Sequence, residues 1–135
     1  MKIRLIVWWL NLDIISIVIL CFFHSGKDKP TILHEIDLTI RNSTFCQDRI
    51  YKWAVSEEEN GTFFSNGIFC AGGEKGKDAC KGDSGSAIFT KQEKKVVQIG
   101  LVSGGFGDEC GIEAYPTFYT RVQYYLKWIL DNIEE

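Results

Sequence analysis

Asp78-Ala79-Cys80-Lys81-Gly82-Asp83-Ser84-Gly85-Ser86 decides how this chain is read. Gly82 and Gly85 flank the serine and let the backbone turn tightly, which lifts the Ser84 hydroxyl out of the local structure. A serine displayed on a turn of this kind is placed to act as a nucleophile. The run closes a glycine-rich stretch, 72–86, that reads as loop.

Outward from that loop the chain alternates short strands and turns. Ala87-Ile88-Phe89-Thr90 reads as a strand, Lys91 to Lys95 as a turn, and Val96 to Val102 as a second strand, together a hairpin. Thr117 to Val122 is a further strand. Val122, Leu126, Ile129 and Ile133 step by four, three and four, one apolar face of a C-terminal helix. Upstream, Phe63 to Phe69 leads a strand into Cys70, and residues 56–62 are acidic and polar, an exposed loop. Asn42 or Ser43 caps a short helix through Tyr51, and Ile36 to Ile40 alternates as a half-buried strand. Short strands at close intervals with one terminal helix predict an all-β, antiparallel barrel or sandwich.

At 135 residues and 45% apolar content the chain has the size and composition of one folded domain. Net charge is −3, and the lysines at 75, 77, 81, 91, 94 and 95 are interleaved with acids, so nucleic acid is not an expected partner. Five cysteines occur, at 21, 46, 70, 80 and 110. Cys-x-x-Cys spacing is absent and the histidines are His24 and His34, so no metal site or cofactor is expected. Disulfides are the better reading, which implies an oxidising compartment. Four cysteines allow three pairings, and sequence alone does not choose among them. The sequons Asn42-Ser43-Thr44 and Asn60-Gly61-Thr62 make Asn42 and Asn60 candidate glycan acceptors.

Residues 1–31 form a separate unit. Lys2 and Arg4 precede a long apolar run, the layout of a secretory signal. The run, 5–23, also approaches the ~20 residues that span a bilayer, so membrane contact is expected if it is not cleaved. Asn11 and Asp13 weigh against an anchor, since a carboxylate near the bilayer centre costs about 3 kcal/mol. Cys21 has no expected partner.

The Ser84 run resembles the nucleophile loop of the trypsin/chymotrypsin serine proteases. Cys70-Ala71-Gly72-Gly73, Gly100-Leu101-Val102-Ser103 and Tyr119-Thr120-Arg121-Val122 with the closing helix resemble that family in order and spacing. The resemblance covers roughly residues 32 to 133 and is closest to arthropod extracellular proteases of cascade type. It implies that 32–135 is the second six-stranded barrel of the trypsin-like fold, incomplete, with a C-terminal α-helix. The first strand of that barrel is expected ahead of residue 32, where none is legible, leaving an unpaired edge unless the N-terminal run substitutes. The resemblance also implies the bridges Cys46–Cys70 and Cys80–Cys110, each stabilising by about 3 to 4 kcal/mol in the chain-entropy model.

For chemistry the resemblance implies Ser84 as nucleophile, with the Gly82 and Ser84 N–H groups as the oxyanion hole. A serine hydroxyl is a poor nucleophile until a base takes its proton, and the usual base is an imidazole held by a carboxylate. In the family both come from the first barrel. His24 and His34 match no family motif, so the chain alone is expected to be inactive. Asp83 is expected to lack its cationic partner, which predicts a loose, precursor-like turn. Asp78 would lie at the base of the primary pocket and select Lys or Arg by charge. Ser103, Gly104 and Gly105 would line that pocket. Several positions depart from the family: Gly104 replaces an aromatic and thins a wall, Thr117 replaces a glycine and narrows the pocket, and Ser86 would be strained if it needed positive φ.

Two functions follow. One is a secreted serine-type endopeptidase cutting protein substrates after Lys or Arg. The other is a secreted, non-catalytic protease homologue whose loops hold a partner protein.

Overall fold

The computed structural model describes residues 2–5, 35–56, 65–92, 95–106 and 109–133. Eight elements follow in order: β1 (Lys2–Leu5), β2 (Ile36–Thr39), α1 (Ser43–Ser56), β3 (Ile68–Gly72), β4 (Ala87–Gln92), β5 (Lys95–Gly104), β6 (Pro116–Arg121) and α2 (Val122–Asp131). The strands make one six-stranded sheet in the order β2-β1-β4-β5-β6-β3, with every neighbouring pair antiparallel. No ladder joins the two outer strands. They meet at a single bridge, Ile40 to Ala71, beside which the Arg41 N–H donates to the Cys70 carbonyl at 3.0 Å. The architecture is therefore a partial trypsin-like barrel, mostly β, with one C-terminal helix.

β1 corrects the expectation of an unpaired edge. Lys2–Leu5 pairs with β2 through Leu5 opposite Ile36, and with β4 through Leu5 opposite Ile88. The N-terminal run thus fills the slot for which no strand was legible. His24, His34, Cys21 and Asn60 lie outside the described residues, as does the apolar run beyond Leu5.

The hairpin is longer than its apolar core suggests. β4 and β5 run to within two residues of each other, because Lys91 and Gln92 pair with Val96 and Lys95. β3 begins later than expected, after a turn in which the Ile68 N–H donates to the Ser65 carbonyl at 3.0 Å. Pro116 opens β6, a strand position that tolerates a missing N–H donor. In α1 the Asn42 Oδ1 accepts the Phe45 N–H at 2.7 Å, so Asn42 is the cap, and the helix continues five residues past Tyr51.

Leu38, Phe69, Ala71, Ala79, Ile88, Val102 and Tyr119 form the core inside the curled sheet. Phe69 stacks on Tyr119 with ring centroids 5.4 Å apart. The Cys46–Cys70 bridge ties α1 to β3, and Cys80–Cys110 joins the two loops that follow β3 and β5. α2 departs from its expected role. None of its residues is buried, and Leu126 on the expected apolar face is 46% exposed.

Candidate active site

The register brings four strand ends together. β3 and β5 finish, and β4 and β6 begin, at one end of the sheet, where Gly72 faces Pro116 and Gly104 faces Phe118. Residues 73–86, 105–106 and 109–115 are therefore loop at the same end. Between them lies a pocket of about 120 Å³, lined among others by Asp78, Ser84, Gly104, Gly105, Phe106 and Thr117.

Ser84 is exposed at this pocket. Gly82 and Gly85 flank it at φ +100° and +82°, values that a side chain rarely adopts, so the turn needs glycine at both places. The turn is held, not loose. The Asp83 N–H donates to the Cys80 carbonyl and the Ser86 N–H to the Asp83 carbonyl, both at 2.9 Å. The Gly85 N–H reaches the Val102 carbonyl at 2.8 Å, and the Val102 N–H returns to Ser86 at 2.9 Å. Ser86 is buried without positive φ, so its expected strain is absent. Among the described residues the Gly82 and Ser84 N–H groups donate to no backbone acceptor.

Asp83 was expected to need a cation. Its Oδ2 instead accepts the Cys80 N–H at 2.7 Å, which closes the turn on itself. Burial raises the Asp83 pKa, the Cys80 hydrogen bond lowers it, and the negative charge of Asp78 raises it, for a net rise.

Asp78 is half-buried at the pocket. The Gly111 N–H donates to its Oδ2 at 3.0 Å, and the Thr117 hydroxyl donates to its Oδ1. Burial raises its pKa more than those hydrogen bonds lower it. The Tyr119 hydroxyl is fully buried and has no hydrogen-bond partner among the described residues. Burial and the charges of Asp78 and Asp83 drive its pKa up, which keeps the phenol neutral.

Asp78, Ser84, Gly104 and Gly105 are thus brought together, but Ser103, though exposed, is not among the lining residues. Phe106 and Glu109 are lining residues that the sequence did not disclose, Phe106 as part of the wall. Phe106 is 7% exposed and packs edge-on against Phe118, Tyr115 and Trp53, with centroids 4.7, 5.1 and 5.9 Å away. It supplies an aromatic wall two residues beyond Gly104, where the sequence predicted a thin one. The signal was present as an aromatic after two glycines, but the bend that turns it inward is not local. Among the described residues no cluster of three or more His, Cys, Asp or Glu is arranged to hold a metal ion. No described helix is long and apolar enough to cross a membrane.

Comparison with known proteins agrees with this geometry. The family profile described as Trypsin matches residues 22–129. The chain belongs to the trypsin family of serine proteases. It is 34% identical over 124 residues to the clotting factor G beta subunit of Tachypleus tridentatus, covering 88% of this chain and 39% of that protein. Over 109 residues it is 38% identical to the trypsin Tyr p 3.0101 of Tyrophagus putrescentiae, covering 78% and 33% respectively. A shorter match of 68 residues, 48% identical, aligns it with the phenoloxidase-activating enzyme of Bombyx mori, covering 50% of this chain and 15% of that enzyme. The chain therefore spans well under half the length of these relatives.

Proposed function

We propose that this chain carries the substrate-side machinery of a secreted serine-type endopeptidase that recognises Lys or Arg in protein substrates. Ser84 is the nucleophile, the Gly82 and Ser84 N–H groups form the oxyanion hole, and Asp78 is the charge at the base of the primary pocket. One observation carries the reading: a displayed serine and a half-buried carboxylate line the same small pocket. A carboxylate in that position attracts a cationic side chain and holds the adjacent peptide bond near the serine. Among the described residues the amides at 82 and 84 donate to no backbone acceptor, which suits them as donors to a developing oxyanion. Two disulfides and an exposed sequon at Asn42 support an oxidising, extracellular setting. The cascade-type names of the relatives support a protein, not a small molecule, as substrate.

The 135-residue chain on its own is inactive in this reading, because His24 and His34 match no family motif and no described residue is a histidine that could serve Ser84 as base. A fluorophosphonate probe tests this directly. The expected result is no Ser84 labelling above the Ser84→Ala background. Rapid labelling, lost in Ser84→Ala, overturns the inactivity and leaves the protease assignment standing. A non-catalytic binding module is the second reading, and the exposure of Trp128 at 65% and Leu130 at 62% on α2 favours it. It gains if the pocket binds no cationic ligand.

A further inference from the structure

The pocket base is closed by a contact from an unexpected side. Thr117 stands in β6, 39 residues from Asp78, is 2% exposed, and donates its hydroxyl to Asp78 Oδ1. Gly111 donates its N–H to Oδ2 at 3.0 Å from the neighbouring loop. Each carboxylate oxygen thus already accepts one hydrogen bond from the protein itself. The same threonine oxygen lies 3.8 Å from the place a Cβ would occupy on Gly105, so Thr117 reaches towards the opposite wall.

This arrangement treats two kinds of cation differently. A guanidinium pairs best as a flat fork, with two parallel N–H groups meeting two free carboxylate oxygens. Here the fork is contested at both oxygens, and the threonine side chain occupies space beside one of them. A primary ammonium is a compact charge on a slim stem with three rotatable donors, and a single acceptor position on either oxygen suffices for it.

We propose that Thr117 is the specificity-determining residue of this pocket, engaging Asp78 so that an alkylammonium, the lysine type of side chain, is taken in preference to a guanidinium. The inference rests on the reading of Asp78 as the floor of a cation pocket. It goes beyond that reading by assigning the choice between the two cations to Thr117.

Binding needs no catalysis, so the full disulfide-bonded chain is titrated calorimetrically with n-butylamine and with benzamidine, whose planar amidinium presents the guanidinium-like fork. The wild-type chain is expected to bind n-butylamine more tightly. Thr117→Gly is expected to raise benzamidine affinity by about tenfold or more and to reverse the order. Thr117→Val keeps the bulk and removes the donor, and an intermediate gain is expected of it, a readout that does not depend on the glycine variant folding. Thr117→Ser keeps the hydroxyl and is expected to keep the wild-type order. An unchanged order in both Thr117→Gly and Thr117→Val overturns the role of Thr117 while leaving the pocket intact. Binding of neither ligand by any variant overturns the Asp78 pocket itself, and this inference with it.

Discussion

Gly100 lies against the edge of Phe69: a Cβ placed on it would stand 2.6 Å from Phe69 Cε1 and 2.9 Å from the Thr120 carbonyl oxygen. β5 and β6 pair this closely because position 100 carries no side chain, and Phe69 can then stack flat on Tyr119. Gly100→Ala is expected to destabilise by about 1 to 3 kcal/mol, the usual cost of overpacking. Urea denaturation of the oxidised chain reads this as a lower midpoint at unchanged slope.

Ala114 makes the opposite case. It is the one described non-glycine residue at positive φ, +70°, held there by its N–H bond to the Gly73 carbonyl at 2.9 Å. A left-handed alanine costs about 1 to 2 kcal/mol, against about 0.5 to 1 for the extra freedom of an unfolded glycine. Ala114→Gly is expected to raise the melting temperature by a few degrees.

Asn42 joins two roles. As cap of α1 it accepts the Phe45 N–H, and it is exposed in a sequon. In unglycosylated protein Asn42→Ala is expected to lose about 1 kcal/mol, while Asn42→Ser loses almost nothing because serine also caps. In material secreted from eukaryotic cells, both substitutions are expected to remove a glycan shift that an endoglycosidase also removes.

The elevated pKa of Asp83 fixes the sign of a pH effect. A carboxyl that holds its proton more tightly when folded contributes stability at pH values below its ordinary value, near 3.8. That contribution is lost as pH rises through the folded value. Asp83→Asn keeps an oxygen for the Cys80 N–H but does not ionise. Relative to the wild-type chain it is expected to gain stability progressively as pH climbs above 4, measured by denaturant melts at several pH values.

The Cys80–Cys110 bridge spans 30 residues and joins the loop bearing Asp78 to the loop after β5. The double substitution to alanine is expected to cost about 3.5 kcal/mol in the chain-entropy model. Loss of n-butylamine binding should exceed what the fall in folded population explains, because the Gly111 donor to Asp78 Oδ2 is adjacent to Cys110.

Much of this was legible because it is local. The glycine pair around Ser84, the alternation in β2, the strand runs of the β4–β5 hairpin, the Asn42 cap of α1 and the apolar steps of α2 act over a few residues. The bridges needed the family resemblance, since residue spacing leaves three pairings open. β1 was illegible: four residues at the head of an apolar run carry no period of their own, and their partners lie 31 and more positions away. The exposed face of α2 shows the limit of periodicity, which says that a stripe exists and not what covers it. Thr117 was legible as bulk in the pocket. Its bond to Asp78 depends on how β6 is set against the 73–86 loop, and no short stretch of sequence records that.

The position of β1 sets processing against folding. A peptidase cut anywhere between Leu5 and Ile36 would free the first strand from the rest of the backbone, leaving it attached only by its ladders to β2 and β4. The same four residues cannot be discarded as a leader and also separate those two neighbours. Whichever event comes first in the life of the polypeptide determines whether β4 is flanked on both sides or left open on one.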